Sequence, residues 1–178
     1  QVLLYVRDQR ELFARAVAYF EKKRLSVLDA RIHTTRHGWA LDTFLVQDND
    51  EREPGELTAG IEAELARAFA ELRPLPEPGK GKLSRRGRSF RVRPVIDLER
   101  DESSKAWILQ VTGNDRRGLL FAIAVVLARH GMSLHTAKIA TLDERAEDVC
   151  LIAGPGLEDG EAVLRLENDL IAAVQNAD

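Results

Sequence analysis

Gly113-Asn114-Asp115-Arg116-Arg117-Gly118-Leu119-Leu120 falls beside Val6-Arg7-Asp8-Gln9-Arg10-Glu11-Leu12-Phe13 when the chain is slid against itself. The register then persists. Leu25-Ser26-Val27 meets Met132-Ser133-Leu134, Ala30-Arg31-Ile32 meets Ala137-Lys138-Ile139, and after a one-residue gap Asp42 meets Asp148. Two copies of one structural unit are the simplest reading.

Each copy repeats the same order of periodicities. In the first, Val2 to Val6 is a short apolar strand, and Leu12, Phe13, Ala16, Val17 and Phe20 form a helical stripe. Leu28, Ala30 and Ile32 alternate with Asp29, Arg31 and His33, and a turn at Arg36-His37-Gly38 leads into a strand over Trp39 to Val46. Leu57, Ile61, Leu65, Phe69 and Leu72 predict a second helix, with Glu56, Glu62 and Glu64 in the half where negative charge suits the helix dipole. Pro74, Pro76 and Pro78 stop it. Phe90, Val92, Pro94, Ile96 and Leu98 alternate with polar residues as a fourth strand, and Pro94 favours an edge position.

The second copy reads Trp107 to Thr112 as a strand, Gly118 to His130 as a helix, Ser133 to Thr141 and Glu147 to Ala153 as a hairpin, and a last helix carrying Val163, Leu166, Leu170 and Ala173. Only Val174 to Asp178 follow, too little for a fourth strand. This copy must borrow one or leave an edge uncovered. The order βαββα(β), twice, predicts an α+β fold of two ferredoxin-like sandwiches, each with helices on one face of an antiparallel sheet. The boundaries are 1–98, with a long basic loop over 73–90 before the last strand, and 106–178.

Composition narrows the function classes. The 178 residues are 44% hydrophobic, 31% charged and 6% aromatic, enough apolar material for an ordinary core, and the net charge is −3. A near-neutral chain has no global field drawing it to nucleic acid or an anionic membrane, and no apolar run reaches the roughly 18 to 20 residues of a membrane span. The lone Cys150 cannot form an internal disulfide, and with no signal-peptide pattern at the start this fits a reducing cytoplasm. A strand-like run beginning at Gln1 suggests a piece of a longer protein.

The loop Asn114-Asp115-Arg116-Arg117-Gly118 joins a strand to the start of a helix, where backbone N–H groups lack intrahelical acceptors and the dipole is positive. A carboxylate suits that position, and Gly118 lets a ligand or a neighbouring backbone approach. Asn114 and Asp115 either cap the helix or meet a ligand's amino group; the spacing leaves both readings open.

These residues carry a resemblance. Asp115-Arg116-Arg117-Gly118-Leu119-Leu120 is similar to the DRPGLL signature of the ACT domain, a βαββαβ regulatory module that commonly binds amino acids between modules, with Arg117 in place of the proline. Leu134-His135-Thr136-Ala137-Lys138-Ile139-Ala140-Thr141, followed by Glu144-Arg145-Ala146-Glu147-Asp148-Val149, resembles the C-terminal end of the bifunctional uridylyltransferase/uridylyl-removing enzymes. Those enzymes modify the PII signal protein, and their terminal ACT pair is taken to sense glutamine. The resemblance implies a glutamine site on Asn114, Asp115, Arg116, Arg117, Gly118, Leu119 and Leu120. It implies a weak or absent equivalent at Asp8, Gln9, Arg10 and Glu11, because Glu11 stands in the glycine position. It further implies PII and the parent chain's catalytic domains as partners, no cofactor in this chain, and magnesium in the parent; the missing fourth strand, which would leave an open sheet edge, offers as the alternative an architectural pair for homo-oligomerisation or partner docking without a small ligand. The Gly-Ser and spaced-carboxylate motif of a nucleotidyltransferase and the His-Asp motif of the hydrolase are both missing from the sequence, so neither reaction is expected of this chain alone.

The remaining features favour structural roles. Lys80, Lys82, Arg85, Arg86, Arg88, Arg91 and Arg93 form a basic stretch that reads as a solvated loop, with docking to an acidic partner or to the catalytic part of the parent as the functional alternative. Base stacking would need aromatics that only Phe90 supplies. His33 and His37 lack a third ligand, His135 should be partly buried on the face of Ala137 and Ile139, Cys150 is a small core side chain, and Trp39 and Trp107 anchor sheets. Asp42 and Asp148 are read as satisfying the hairpin turns.

Overall fold

A computed structural model of the chain describes residues 1–9, 11–35, 37–50, 52, 54–71, 73–142 and 144–175. Arg10, Arg36, Leu72, residues 176–178 and the side chains of Glu56, Leu57 and Thr141 lie outside what is described. The elements are β1 (Val2–Arg7), α1 (Leu12–Lys22), β2 (Leu25–Arg31), β3 (Trp39–Asp48), α2 (Pro54–Ala70), α3 (Arg85–Ser89), β4 (Val95–Arg100), β5 (Trp107–Asn114), α4 (Leu119–Arg129), β6 (Ser133–Lys138), β7 (Thr141–Leu142), β8 (Arg145–Ala153) and α5 (Gly160–Gln175). The fold is α+β, around one eight-stranded sheet of order β1-β3-β2-β6-β8-β5-β4, with β7 paired to β8. Its ladders are antiparallel.

Strand alternation puts the helices on one face. Ala40, Asp42 and Phe44 of β3 are buried while Leu41 and Leu45, on the alternate positions, are exposed, and β8 buries Ala146, Asp148, Cys150 and Ile152 in the same manner. The covered face forms the core with α1, α2, α4 and α5. Phe20 and Phe44 meet edge to face at 5.1 Å with no exposure, each removing about 2 to 3 kcal/mol of apolar surface from water. Cys150 is buried there as the sequence suggests, and burial pushes its thiol up to about 12. Trp39 stacks on Tyr5 at 4.9 Å beneath Arg7.

The two halves meet along a seam. Ala30 of β2 pairs with Ala137 of β6 and makes the sheet continuous, while Val17 of α1 packs with Phe121 and Val125 of α4 above it. This explains why α4 is buried almost all round instead of along a stripe: it faces the sheet, α1 and α5 together. Backbone conformation repeats too. Glu11 (φ 64) and Gly118 (φ 77) start α1 and α4 in the left-handed region, and Arg24 (φ 59) and Gly131 (φ 69) follow their ends.

Two expectations are corrected. The strand predicted over Phe90 to Leu98 is found at Val95–Arg100, and it pairs with β5 of the second half, not with β1 of the first. A tight turn over Asp101 to Ala106, closed by Asp101 N–H donating to Ala106 O at 3.0 Å, makes β4 and β5 a local hairpin, while Ile96 and Leu98 pack into the core. Phe90 instead ends α3 and is exposed. His135 is exposed, because the β6–β8 register slips between Leu134 and Thr136 and turns it off the Ala137 face.

Candidate functional site

The β5–α4 loop opens onto a cavity of about 510 Å³ at the seam. Asp115 through Leu120 line it from the second half, joined by Ala146 and Asp148 of β8; Phe20 and Glu21 of α1, Arg24, and Leu25 through Leu28 of β2 line it from the first. Two glycines shape the loop. A side chain at Gly113 would place Cβ 2.4 Å from Val174 Cγ1 of α5, so α5 can pack only on a glycine. Gly118 supplies the left-handed turn that starts α4, with its carbonyl accepting from Ala122 N–H at 2.9 Å. No side chain caps α4; in its first turn the Leu119 N–H donates to Arg116 O at 3.2 Å, and those of Leu120 and Phe121 have no intrahelical acceptor.

The polar side chains divide between holding the loop and facing the cavity. Asn114 does not line the cavity: its Oδ1 accepts from Val92 N–H at 2.9 Å and its Nδ2 donates to Phe90 O at 3.1 Å, tying the segment before β4 to the loop. Gly81, at the start of the basic stretch, lies against Arg116 and Arg117, and Ser84 donates to Glu144. The basic loop is thereby fastened to the back of the site. Lys82, Arg85, Arg86, Arg88, Arg91 and Arg93 are exposed.

Charges on the cavity wall are largely committed. Arg117 donates to Glu21 Oε1 at 2.8 Å and to Glu21 O at 3.1 Å, a link across the seam. Arg24 pairs with Asp50 at 2.8 Å. Arg116 is buried, its terminal nitrogens donating to Ala173 O at 2.7 Å and Arg117 O at 3.3 Å, while Nε has no hydrogen-bond partner among the described residues. Burial lowers its guanidinium pKa.

Asp148, which the sequence reads as satisfying a hairpin turn, accepts a backbone hydrogen bond from Ala140 between β6 and β8 and also lines the cavity. It is 3% exposed. Burial pushes its carboxyl up to about 7, against the Ala140 backbone hydrogen bond that favours the charged form and with a further upward push from Asp115. Its Oδ1 has no hydrogen-bond partner among the described residues. Asp115 is raised as well, by burial first, with the Arg116 backbone N–H opposing. The signal was present in the alternation, since Asp148 occupies the inward row of Ala146, Cys150 and Ile152.

A second cavity, of about 400 Å³, repeats the arrangement from the other side. Asp8, Gln9, Glu11 and Asp42 of the first half line it with Gly131 through His135 of the second. Glu11 folds back onto its own helix, its Oε2 accepting from Arg15 at 2.7 Å. Asp42 accepts from His33 N–H at 3.3 Å and is pushed by burial up to about 6. Among the described residues no group of three or more His, Cys, Asp or Glu side chains is arranged to hold a metal ion, and no helix is long and apolar enough to cross a membrane.

Fold and cavities define a class: a duplicated α+β unit on one continuous antiparallel sheet, with a polar cavity on each side of the seam. Chains of similar sequence occur in the bifunctional uridylyltransferase/uridylyl-removing enzyme of Burkholderia lata, 49% identical over 175 residues, and in those of Burkholderia mallei strain SAVP1 and Burkholderia pseudomallei strain 668, each 48% identical over 175 residues. The match takes in 98% of this chain, which spans about a fifth of the length of these curated relatives (20%). No protein-family model matches the sequence, and no solved structure matches it.

Proposed function

We propose that the chain is a regulatory module of a bifunctional uridylyltransferase/uridylyl-removing enzyme, two ACT domains over 1–98 and 106–178 that bind glutamine and thereby bias uridylylation and deuridylylation of the PII protein. The first domain then contributes β4 to the sheet of the second. The observation that carries the reading is the cavity at the seam, in which the first turn of α4 and residues of the other half line one space. A ligand held by both halves favours one arrangement of the seam over another, and that difference in affinity is what regulation of a distant site requires. The chemistry of transfer and removal lies in the part of the enzyme beyond this chain, where magnesium would act. The relatives' printed name, at 48–49% identity, supports the parent assignment. Calorimetry of the chain with millimolar L-glutamine tests the ligand: saturable heat with a raised melting temperature is expected, and neither heat nor stabilisation overturns it.

A second reading, association with another chain, rests on a different surface. β1 is an end strand of the sheet, and Leu3, Tyr5, Leu41 and Leu45 are exposed on the uncovered face beside it. Light scattering that finds a dimer indifferent to amino acids favours this reading over sensing.

A further inference from the structure

Seven basic residues and no acidic one lie between Glu77 and Asp97. As a free loop such a run would repel itself and scatter its charges. Hydrogen bonds and close packing hold it in place instead. Gly81 lies so near the loop after β5 that a Cβ there would come within 2.4 Å of Arg117 O. Ser84 accepts from Gly87 N–H at 2.9 Å to start α3, and donates to Glu144 just before β8. Beyond α3 the side-chain amide of Asn114 takes both Phe90 O, at 3.1 Å, and Val92 N–H, at 2.9 Å, and β4 then joins the sheet. A stretch that the sequence reads as a solvated loop is thus a fixed array, built on the same β5–α4 loop that lines the cavity.

The charges of this array engage almost nothing inside the chain. Lys82, Arg85, Arg86, Arg88, Arg91 and Arg93 are exposed, and among the described residues none of them forms an ion pair; Arg88 gives one nitrogen to Leu83 O at 2.8 Å. Elsewhere in the second half and around it cations are paired: Arg117 with Glu21, Arg129 with Glu77 and Arg145 with Glu147. Phe90 stands among the six and is 72% exposed, more than any other large hydrophobic residue described. Like charges fixed side by side cost stability unless an anionic surface meets them. An exposed ring set among guanidinium groups is the composition of a protein interface and its hot spots.

We infer that Lys82, Arg85, Arg86, Arg88, Arg91 and Arg93, with Phe90 among them, dock on an acidic protein surface in the part of the parent enzyme outside this chain. This rests on the parent assignment above and is independent of which ligand the cavity takes. Guanidinium forks fit phosphates as well as carboxylates, but the surroundings favour a protein. Acidic residues resume at Glu77 on one side and at Asp97, Glu99 and Asp101 on the other, and the whole chain carries −3, so a long polyanion would meet repulsion close to the patch. Phe90 is the one aromatic residue of the stretch, too few for a run of stacked bases. The chain spans about a fifth of its relatives' length (20%), so a partner in the same polypeptide is present at high effective concentration and a small patch suffices. Because Asn114 and Gly81 fix the patch to the β5–α4 loop, a displacement of that loop displaces the docking surface with it.

The experiment is carbodiimide cross-linking of the full-length parent enzyme, read by mass spectrometry, since this reagent joins a lysine amine directly to a carboxylate in contact with it. Lys82 should be linked to aspartate or glutamate outside residues 1–178. Raising the salt from about 0.05 M to about 0.5 M before the reagent is added should lower the yield several-fold, because the screening length shortens. The triple variant Arg85→Glu, Arg86→Glu, Arg88→Glu, changed only at exposed positions, should lower it about tenfold. Arg165→Glu, an exposed change on α5, should leave it as it was. Links from Lys82 confined to residues 1–178 overturn the inference, as does a yield that neither salt nor the triple variant changes. Single-stranded RNA retained by the enzyme and released by the triple variant, in place of such links, assigns the patch to a nucleic acid and overturns it too. In a parent that uridylylates PII, these contrary results leave the parent assignment standing. A full-length protein that neither transfers nor removes uridylyl groups overturns that assignment, and this inference with it.

Discussion

Asp148→Asn should raise stability at high pH while leaving it nearly unchanged at low pH. The carboxyl has a folded pKa about 7 because it is buried, well above the value near 3.9 of an unfolded chain. A raised folded pKa means that the folded state binds more protons between those two values, so the stability contributed by the protonated form is complete below about 3.9 and is lost as pH rises through about 7. Weighting 1.36 kcal/mol per pKa unit by the ionised fractions, the unmutated chain loses roughly 3 kcal/mol from this group between pH 5 and pH 8. Asparagine does not titrate, and any cost of its amide is present at both pH values and cancels in the comparison. Asp42, also raised by burial, titrates in both proteins and cancels as well. The assay is thermal or urea unfolding of both proteins at pH 5 and pH 8. Relative to the unmutated chain, the variant should gain about 3 kcal/mol between the two conditions, roughly 6 to 12 °C in Tm for a domain of this size. Stability curves that run parallel over this range would refute the reasoning, because they would mean that Asp148 is charged and satisfied throughout.

The other predictions concern the backbone and the open face. Gly113→Ala puts a Cβ 2.4 Å from Val174 Cγ1 and should cost about 1 to 3 kcal/mol by urea unfolding, largely recovered in a double variant with Val174→Ala. Arg24→Gly removes a left-handed non-glycine residue and should stabilise by roughly 1 kcal/mol in the same assay, since the exposed pair with Asp50 contributes less than the strain. Phe44→Ala, at a fully buried site, should cost about 3 to 5 kcal/mol, measured as the shift in unfolding midpoint. Tyr5→Lys with Leu41→Lys should leave the unfolding midpoint within about 1 kcal/mol but dissociate any dimer detected by light scattering, because both side chains lie on the uncovered face.

The elements legible in the sequence are those whose cause is local. The α1 stripe of Leu12, Ala16, Val17 and Phe20 is buried, and the β3 alternation assigns its inward face, because a helix or strand displays its period whatever it packs against. The repeat was legible from matched residues. Its firmest structural mark, the left-handed pair at the ends of each first helix, is glycine in one copy and Glu11 and Arg24 in the other, so residue identity alone hides it. The partner of β4 was not legible. Alternation over Ile96 and Leu98 announces a strand and says nothing of its neighbour, which the short turn to β5 decides. His135 was misplaced for a related reason, because a bulge shifts the facing of a residue without altering the pattern before it. In the candidate site the loop from Asp115 to Leu120 stood out through its glycine and its place before a helix. The opposite wall, from Glu21 to Leu28, comes from the other half and became visible only once β2 and β6 were paired.

The most direct test of a free amino acid held at the seam is a crystal structure of the chain grown with saturating L-glutamine. The account predicts ligand density between Gly118 and the start of β2, in contact with residues of both halves. Density in another place, or an empty cavity at a glutamine concentration that saturates binding in solution, would contradict it.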